Sequence, residues 1–119
     1  MTDYFLDTSF LIDLINGKDT AVEVHDEIRG DEKTGTVCLY ELSKFAGFDA
    51  QKFDDKEVVP LSSGDANEAG KIYRELKKNG EKAGEIDALI GGMVRNRGLR
   101  LITRDEHFKT MKNVRTRYY

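Results

Sequence analysis

Residues 5–13 read FLDTSFLID. The apolar pair Phe5-Leu6 stops at Asp7, Thr8 and Ser9, and the apolar pattern resumes at Phe10. With Tyr4, the first part has the character of a short buried strand. Phe10, Leu11, Leu14 and Ile15 then recur at helical spacing. The stretch reads as a strand running straight into a helix, with Asp7 at the junction. Asp is a favoured helix N-cap. An acid at the carboxyl end of a strand is also where an open α/β sheet meets its ligands.

Outward from this junction the same alternation continues. Further strand-like runs lie at TVCL (36–39), EVVPL (57–61) and LRLIT (99–103), and NVRTRYY (113–119) offers a fifth with Val114 as its apolar contribution. Pro60 suits an edge position or a strand end. Val22, Val24 and Ile28 predict a helix ending near Gly30, and ELSKFAGF (41–48) a short one. Ala66, Ala69, Ile72, Tyr73 and Leu76 predict another, with Ser62 or Ser63 as N-cap and Gly80 as its stop. Ile86, Leu89, Ile90, Met93 and Val94 form a further stripe that ends before Gly98. Short apolar strands alternating with helices predict an α/β fold: an α/β/α sandwich with a central, mostly parallel sheet of four to five strands.

With 119 residues, no internal repeat and no linker-like tract, one domain over 1–119 is expected. A net charge of −3 gives no global signal for nucleic acid, although a carboxylate cluster can mask a basic rim. Cys38 is the only cysteine, so an intrachain disulfide or cysteine-based metal framework is excluded, and a buried, inert thiol is expected. No run is long enough to span a bilayer, and MTDYFLD lacks the pattern of a signal peptide. A cytoplasmic location and no membrane partner are expected.

The acids are placed with a pattern. Asp7 follows the first strand, Glu41 lies two residues past TVCL, and Asp105 lies two residues past LRLIT. The carboxyl ends of parallel strands share one edge, so these three are expected to meet there. Asp87 opens the helix that feeds the fourth strand. A helix of full sheet height is expected to put it at the opposite edge, and the spacing leaves its place open. Each acid also has a local reading, as an N-cap for Asp7 and Asp105 and a first-turn acid for Glu41 and Asp87. Capping does not explain a gathering at one edge. Several carboxylates in one pocket repel, and a hard divalent cation offsets that repulsion. Oxygen donors point to Mg²⁺ or Mn²⁺ and to water attack on a phosphodiester. Ser9 and Thr103 are suited to orienting such ligands.

FLDTSFLID, TVCLYELSKF, GEIDALIGGMV and LITRDEHF, in that order and over nearly the whole chain, resemble the PIN-domain nucleases, and most of all the small VapC-type toxins of toxin–antitoxin pairs. The resemblance implies a Mg²⁺- or Mn²⁺-dependent endoribonuclease that leaves a 5′-phosphate and a 3′-hydroxyl. Asp7 and Asp105 would be direct metal ligands, Asp87 a ligand directly or through water, and Glu41 the acid that places the attacking water. It also implies that the Asp87 helix presents its first turn to the pocket. A small antitoxin protein and a homodimer are implied as partners, with RNA as substrate. Two departures stand out. The segment between Glu41 and Pro60 is shorter than is usual for the family. Gly91 and Gly92 replace an alanine-like pair, for which close backbone packing is the expected reason.

RNA binding needs positive charge. Lys44, one turn after Glu41, and Arg104 are candidate contacts, as is the basic group Lys77, Lys78 and Lys82. For each, a solvated surface charge is the competing reading. His25 and His107 lack metal-ligand spacing and are expected at the surface. Asp13 is expected to face solvent. Glu85 is at most an outer contributor, and Tyr118 and Tyr119 either stack on bases or fray. Ser9 stands where a phosphatase of the haloacid dehalogenase type needs a second Asp. A receiver domain's paired acids are missing, and so is a P-loop. The alternatives that remain are a PIN nuclease of RNA maturation and a non-catalytic RNA- or protein-binding module. The lack of further domains within 1–119 favours the toxin.

Overall fold

Tyr4–Leu6 forms β1, in which Phe5 and Leu6 are completely buried. In the computed structural model, which describes residues 3–49, 51, 57–82 and 84–119, four more strands join it. These are β2 (Glu32–Gly35), β3 (Glu57–Val59), β4 (Arg100–Thr103) and β5 (Arg115–Tyr118). The order across the sheet is β3-β2-β1-β4-β5, and every neighbouring pair is parallel. The expected parallel α/β sheet is therefore present with five strands, and β3, just before Pro60, lies at an edge.

One strand is not where the apolar runs put it. TVCL is the start of helix α3 (Thr36–Ser43), and the second strand is the polar stretch EKTG just before it. A four-residue apolar run cannot be assigned by periodicity. In α3, Val37, Cys38 and Leu42 are the buried side chains, a helical and not an alternating set. The polar strand is tolerated because its side chains find partners. Lys33 reaches Asp3 at 3.4 Å and Glu57 at 3.3 Å, and the buried Thr34 hydroxyl donates to the Leu6 carbonyl at 2.9 Å.

The other helices are α1 (Thr8–Ile15), α2 (Asp19–Ile28), α4 (Ser63–Lys78) and α5 (Glu85–Arg97). α1 packs on α2 and α3, and α4 packs along α5. The buried stripe of α2 is Ala21, Val24 and Ile28, so Val22 points outward and Ala21 takes the core position. α4 begins at Ser62 with a reciprocal cap. Ser62 Oγ accepts from the Asp65 amide at 3.1 Å, and Asp65 Oδ2 accepts from the Ser62 amide at 2.9 Å. Ala69, Ile72 and Leu76 are buried on this helix, whereas Ala66 is exposed.

α4 and α5 come unusually close. A Cβ on Gly92 would lie 2.6 Å from the Ala69 amide nitrogen and 2.6 Å from the Asp65 carbonyl oxygen. Close packing is thus the reason for Gly92. Gly98, with φ of 66°, ends α5 in a left-handed turn that returns the chain into β4. α5 therefore runs antiparallel to β4, and its first turn lies at the carboxyl edge of the sheet. This corrects the expectation that a full-height helix would carry Asp87 to the opposite edge: a helix that feeds a parallel strand starts where that strand ends.

The chain steps from β1 to β2 to β3, then crosses back through α4 and α5 to β4 on the other side of β1. Strand order therefore reverses between β1 and β4, and in open α/β sheets the crevice at such a reversal is the ligand site. Of the short Glu41–Pro60 segment, residues 50 and 52–56 lie outside the described residues. No described helix is long and apolar enough to cross a membrane.

Candidate metal centre

The reversal point is where the acids are found. β1 and β4 run in register, with Leu6 opposite Ile102, and the Asp7 amide donates to the Ile102 carbonyl at 3.1 Å. Asp7 and Thr103 are therefore level at the ends of neighbouring strands. Thr103 Oγ1 donates to Asp7 Oδ2 at 2.6 Å, and Ser9 Oγ donates to the same oxygen at 2.9 Å. Asp7 stands at the N-cap position of α1 but makes no side-chain capping bond. The residue is 4% exposed. Burial pushes its pKa up to about 6, against the pull of the Thr103, Ser9 and Thr8 hydrogen bonds, and the Asp87 charge adds to the rise.

Asp105 lies two residues past β4 and does cap the next turn. Its Oδ1 accepts from the His107 amide at 2.9 Å and opens a 3-10 helix over Glu106–Thr110. The Asp105 amide donates to Thr103 Oγ1 at 2.9 Å, and the Tyr118 hydroxyl donates to the Asp105 carbonyl at 2.9 Å. Phe108, 1% exposed, anchors the turn in the core. Asp87 approaches from the first turn of α5. Burial raises its pKa, as do the charges of Asp105 and Glu41, while His107 opposes the rise. Glu41 sits in the second turn of α3, so it is not a first-turn acid, and its Oε1 accepts from Thr8 Oγ1 at 2.6 Å. The four expected acids thus lie at one edge, where Asp87 feels the charges of Asp105 and Glu41 and Asp7 feels that of Asp87.

Three residues that the spacing did not single out belong here. Thr8 holds Glu41. His107 is exposed, as expected, but it is not remote from the acids. Its Nδ1 lies 3.2 Å from Asp105 Oδ1 and 3.4 Å from Asp87 Oδ2. The signal in the sequence was the Asp-x-His spacing, since an Asp that caps its own turn draws the residue two positions on toward its carboxylate. Asp13 is the third, and it corrects the expectation that it faces solvent. It is 8% exposed and accepts from Arg104 Nε at 2.9 Å and from the Tyr119 hydroxyl at 2.6 Å. Burial opposes its ionisation, but these two bonds hold its carboxyl below the usual range.

The terminal tyrosines neither fray nor stand free. Tyr118 ends β5, and the Tyr119 ring meets Phe10 edge-on with centroids 5.0 Å apart. Arg104, a candidate RNA contact, is paired with Asp13. Lys44 Nζ lies 5.2 Å from the Tyr40 ring centroid. Glu85 is exposed and outside the acidic cluster. His25 is half-buried, with Nε2 3.4 Å from Glu32 at the amino end of β2, which replaces the expected surface placement and puts it at the opposite edge of the sheet. Cys38 is buried as expected, and burial pushes its thiol up to about 12.

The residues fit a divalent cation. Among the described residues, the bonding partners of Asp7 and Glu41 are hydroxyls and amides, not basic side chains. Asp87, Asp105 and His107 each offer one ligand atom, all within 4.8 Å of one another. Mostly oxygen donors on a partly buried, negatively charged edge suit a hard cation.

The family model of the PIN domain matches residues 4–114. Among curated proteins, none matches this sequence. Several solved structures share the fold. DNA-bound VapBC from Salmonella typhimurium is 22% identical with a TM-score of 0.87, over 99% of this chain and 98% of that one. VapBC2 from Rickettsia felis, bound to a DNA fragment from its promoter, is 20% identical with a TM-score of 0.86, over 99% of both chains. VapBC-1 from nontypeable Haemophilus influenzae is 19% identical with a TM-score of 0.82, over 98% of both. At these identities the likeness is one of fold, while the family match spans nearly the whole sequence. The buried Asp7 at the strand-order reversal, the three further acids around it and the matched profile lead to one conclusion: the chain belongs to the PIN domain family.

Proposed function

We propose that the protein is a Mg²⁺- or Mn²⁺-dependent endoribonuclease and the toxin of a toxin–antitoxin pair. The observation that carries the reading is the convergence of Glu41, Asp87 and Asp105 on Asp7, whose carboxylate is buried and, among the described residues, has no cationic partner. Asp7, Asp87 and Asp105 are the metal ligands in this reading. A divalent cation held there supplies Lewis-acid polarisation of a phosphodiester and eases ionisation of a nucleophilic water.

The protein's own groups do the rest. Ser9 and Thr103 fix one oxygen of Asp7, so the carboxylate keeps one orientation and presents its charge to the cleft. Thr8 fixes one oxygen of Glu41 and leaves the other to accept a proton from the attacking water. Water oxygen bonds to phosphorus, the bond from phosphorus to the 3′-oxygen breaks, that oxygen takes a proton from solvent, and the products are a 5′-phosphate and a 3′-hydroxyl. Lys44, one turn after Glu41, contributes charge toward RNA in this reading. Arg104 contributes less, because Asp13 already matches its charge.

The toxin assignment rests on the likeness, along nearly all of the chain, to folds solved in VapBC assemblies. It brings with it a small antitoxin partner, a homodimer and a cytoplasmic setting. The test incubates the purified chain with structured and unstructured RNAs, with Mg²⁺ or Mn²⁺ and with EDTA, beside Asp7→Asn. Cleavage that EDTA and Asp7→Asn both abolish is the expected result. Cleavage that survives both overturns the metal site. RNA binding with no cleavage under any condition moves the reading to a non-catalytic module. Co-purification with the product of a short neighbouring reading frame tests the antitoxin, and light scattering tests the dimer.

A further inference from the structure

The geometry points to His107 as a metal ligand that tunes the site toward a transition-metal cation over Mg²⁺, an inference that rests on the metal reading above. Neighbouring donors around an octahedral ion at about 2.1 Å stand roughly 3 Å apart, and opposite donors roughly 4.2 Å. His107 Nδ1 is 3.2 Å from Asp105 Oδ1 and 3.4 Å from Asp87 Oδ2, the spacing of adjacent corners of one coordination shell. The three ligand atoms lie within 4.8 Å of one another, a little wider than the roughly 4.2 Å span of such a shell.

The local structure aims the ring. The Asp105 cap takes the His107 amide, and the buried Phe108 fixes the turn from the next position. The ring borders a recess of about 90 Å³ that it shares with Asp87, Gly84, Lys82 and Met111. Gly84 borders the recess beside Asp87, whose Oδ2 lies 3.4 Å from where a Cβ on Gly84 would sit. An ion held between Asp87 and Asp105 is therefore open to the imidazole from the solvent side. Carboxylates alone suit Mg²⁺ and Mn²⁺ alike, whereas imidazole nitrogen favours first-row transition metals and leaves Mg²⁺ unaided.

The experiment uses the full chain. Mn²⁺ and Mg²⁺ are titrated calorimetrically into the wild type, His107→Ala and His107→Asp, with thermal melting as the check on folding. His107→Ala is expected to weaken Mn²⁺ about tenfold and to change Mg²⁺ by less than about threefold. His107→Asp, an all-oxygen set, is expected to narrow the preference for Mn²⁺. Pulsed electron paramagnetic resonance of the Mn²⁺-loaded wild type is expected to show imidazole nitrogen coupling. That signal can come only from His107 at this edge, because the other histidine, His25, lies beside Glu32 at the opposite one. It needs no variant, so a misfolded substitution leaves the test intact. A spectrum without nitrogen coupling, or an equal loss for both ions, overturns the role of His107 and leaves the carboxylate site standing. A wild type that binds neither ion overturns the metal reading itself.

Discussion

Thr103 Oγ1 lies 2.6 Å from Asp7 Oδ2 and donates its hydrogen to it across the β1–β4 pair. Thr103 Oγ1 also accepts from the Asp105 amide at 2.9 Å. One buried hydroxyl therefore ties two of the site's acids together and leaves Asp7 with a defined orientation. Thr103→Val keeps the shape and removes both bonds. It is expected to lower stability by about 1–3 kcal/mol, since a buried acceptor loses a donor. Divalent-ion affinity is expected to fall about tenfold. Urea denaturation in EDTA and calorimetry measure the two effects. A variant as stable as the wild type, with unchanged metal affinity, would contradict the role given to Thr103.

The Asp7 carboxyl titrates near 6 in the folded chain, against 3.8 for the ordinary group. Between those values the folded state holds more protons than the unfolded one, so stability falls as pH rises through the window. Above it the cost is complete, on the order of 2–3 kcal/mol. In EDTA, Asp7→Asn is therefore expected to raise the melting temperature at about pH 8, with the gain fading below about pH 4. Added Mg²⁺ or Mn²⁺ stabilises the wild type by mass action and leaves the variant where it was. Scanning calorimetry over that pH range decides it, and an Asp7→Asn variant less stable than the wild type at the alkaline end would sink the argument.

Gly91 and Gly92 sit in one helix but face different neighbours. A Cβ at Gly92 meets the backbone of α4 at 2.6 Å, whereas one at Gly91 meets the Met111 thioether at 2.6 Å. Alanine gains about 1 kcal/mol of helix propensity at either position. At Gly92 the clash with rigid backbone outweighs this, and a net loss of about 1–3 kcal/mol is expected. At Gly91 the flexible Met111 can move aside, so the change is expected to be smaller. Equal denaturation midpoints for the two variants would show that the α4–α5 contact is looser than these distances imply.

Asp13 joins α1 to Arg104 and to Tyr119, on either side of the segment that carries Asp105. Asp13→Ala leaves the Tyr119 hydroxyl and the Arg104 guanidinium without their acceptor, and a loss of about 1–3 kcal/mol is expected. Amide exchange over residues 103–107 is expected to quicken more than exchange in β1. Uniform change across the sheet would mean that Asp13 supports the fold generally and not this loop.

Much of the site was readable because parallel strands put their carboxyl ends on one edge, so Asp7 and Asp105 could be paired from chain position alone. Glu41 reaches that edge by a different route from the one its spacing suggests. It lies on a helix and not just past a strand, because EKTG, without an apolar run, is the true second strand. The signal for that strand is invisible locally: Lys33 and Thr34 are satisfied by Asp3, Glu57 and the Leu6 carbonyl, partners distant in the chain or on another strand. Asp13 was misplaced for a related reason. Periodicity reports which face of a helix is apolar, and it is silent about an acid whose partners come from the far end of the chain.

By itself the sequence determined the class of fold, the helix–strand alternation and the acids at the strand ends, because hydrophobic period and turn chemistry are local properties. Tertiary structure decided which strand lies beside which, and with it the reversal between β1 and β4 where the acids meet. It decided that the Asp7 side chain meets Thr103, since that hydroxyl arrives only through strand pairing. It also decided that His107 stands between Asp87 and Asp105, because that contact needs the antiparallel return of α5 and the capped turn after β4 at once. Distances between groups far apart in the chain are set by packing, and only the folded molecule fixes them.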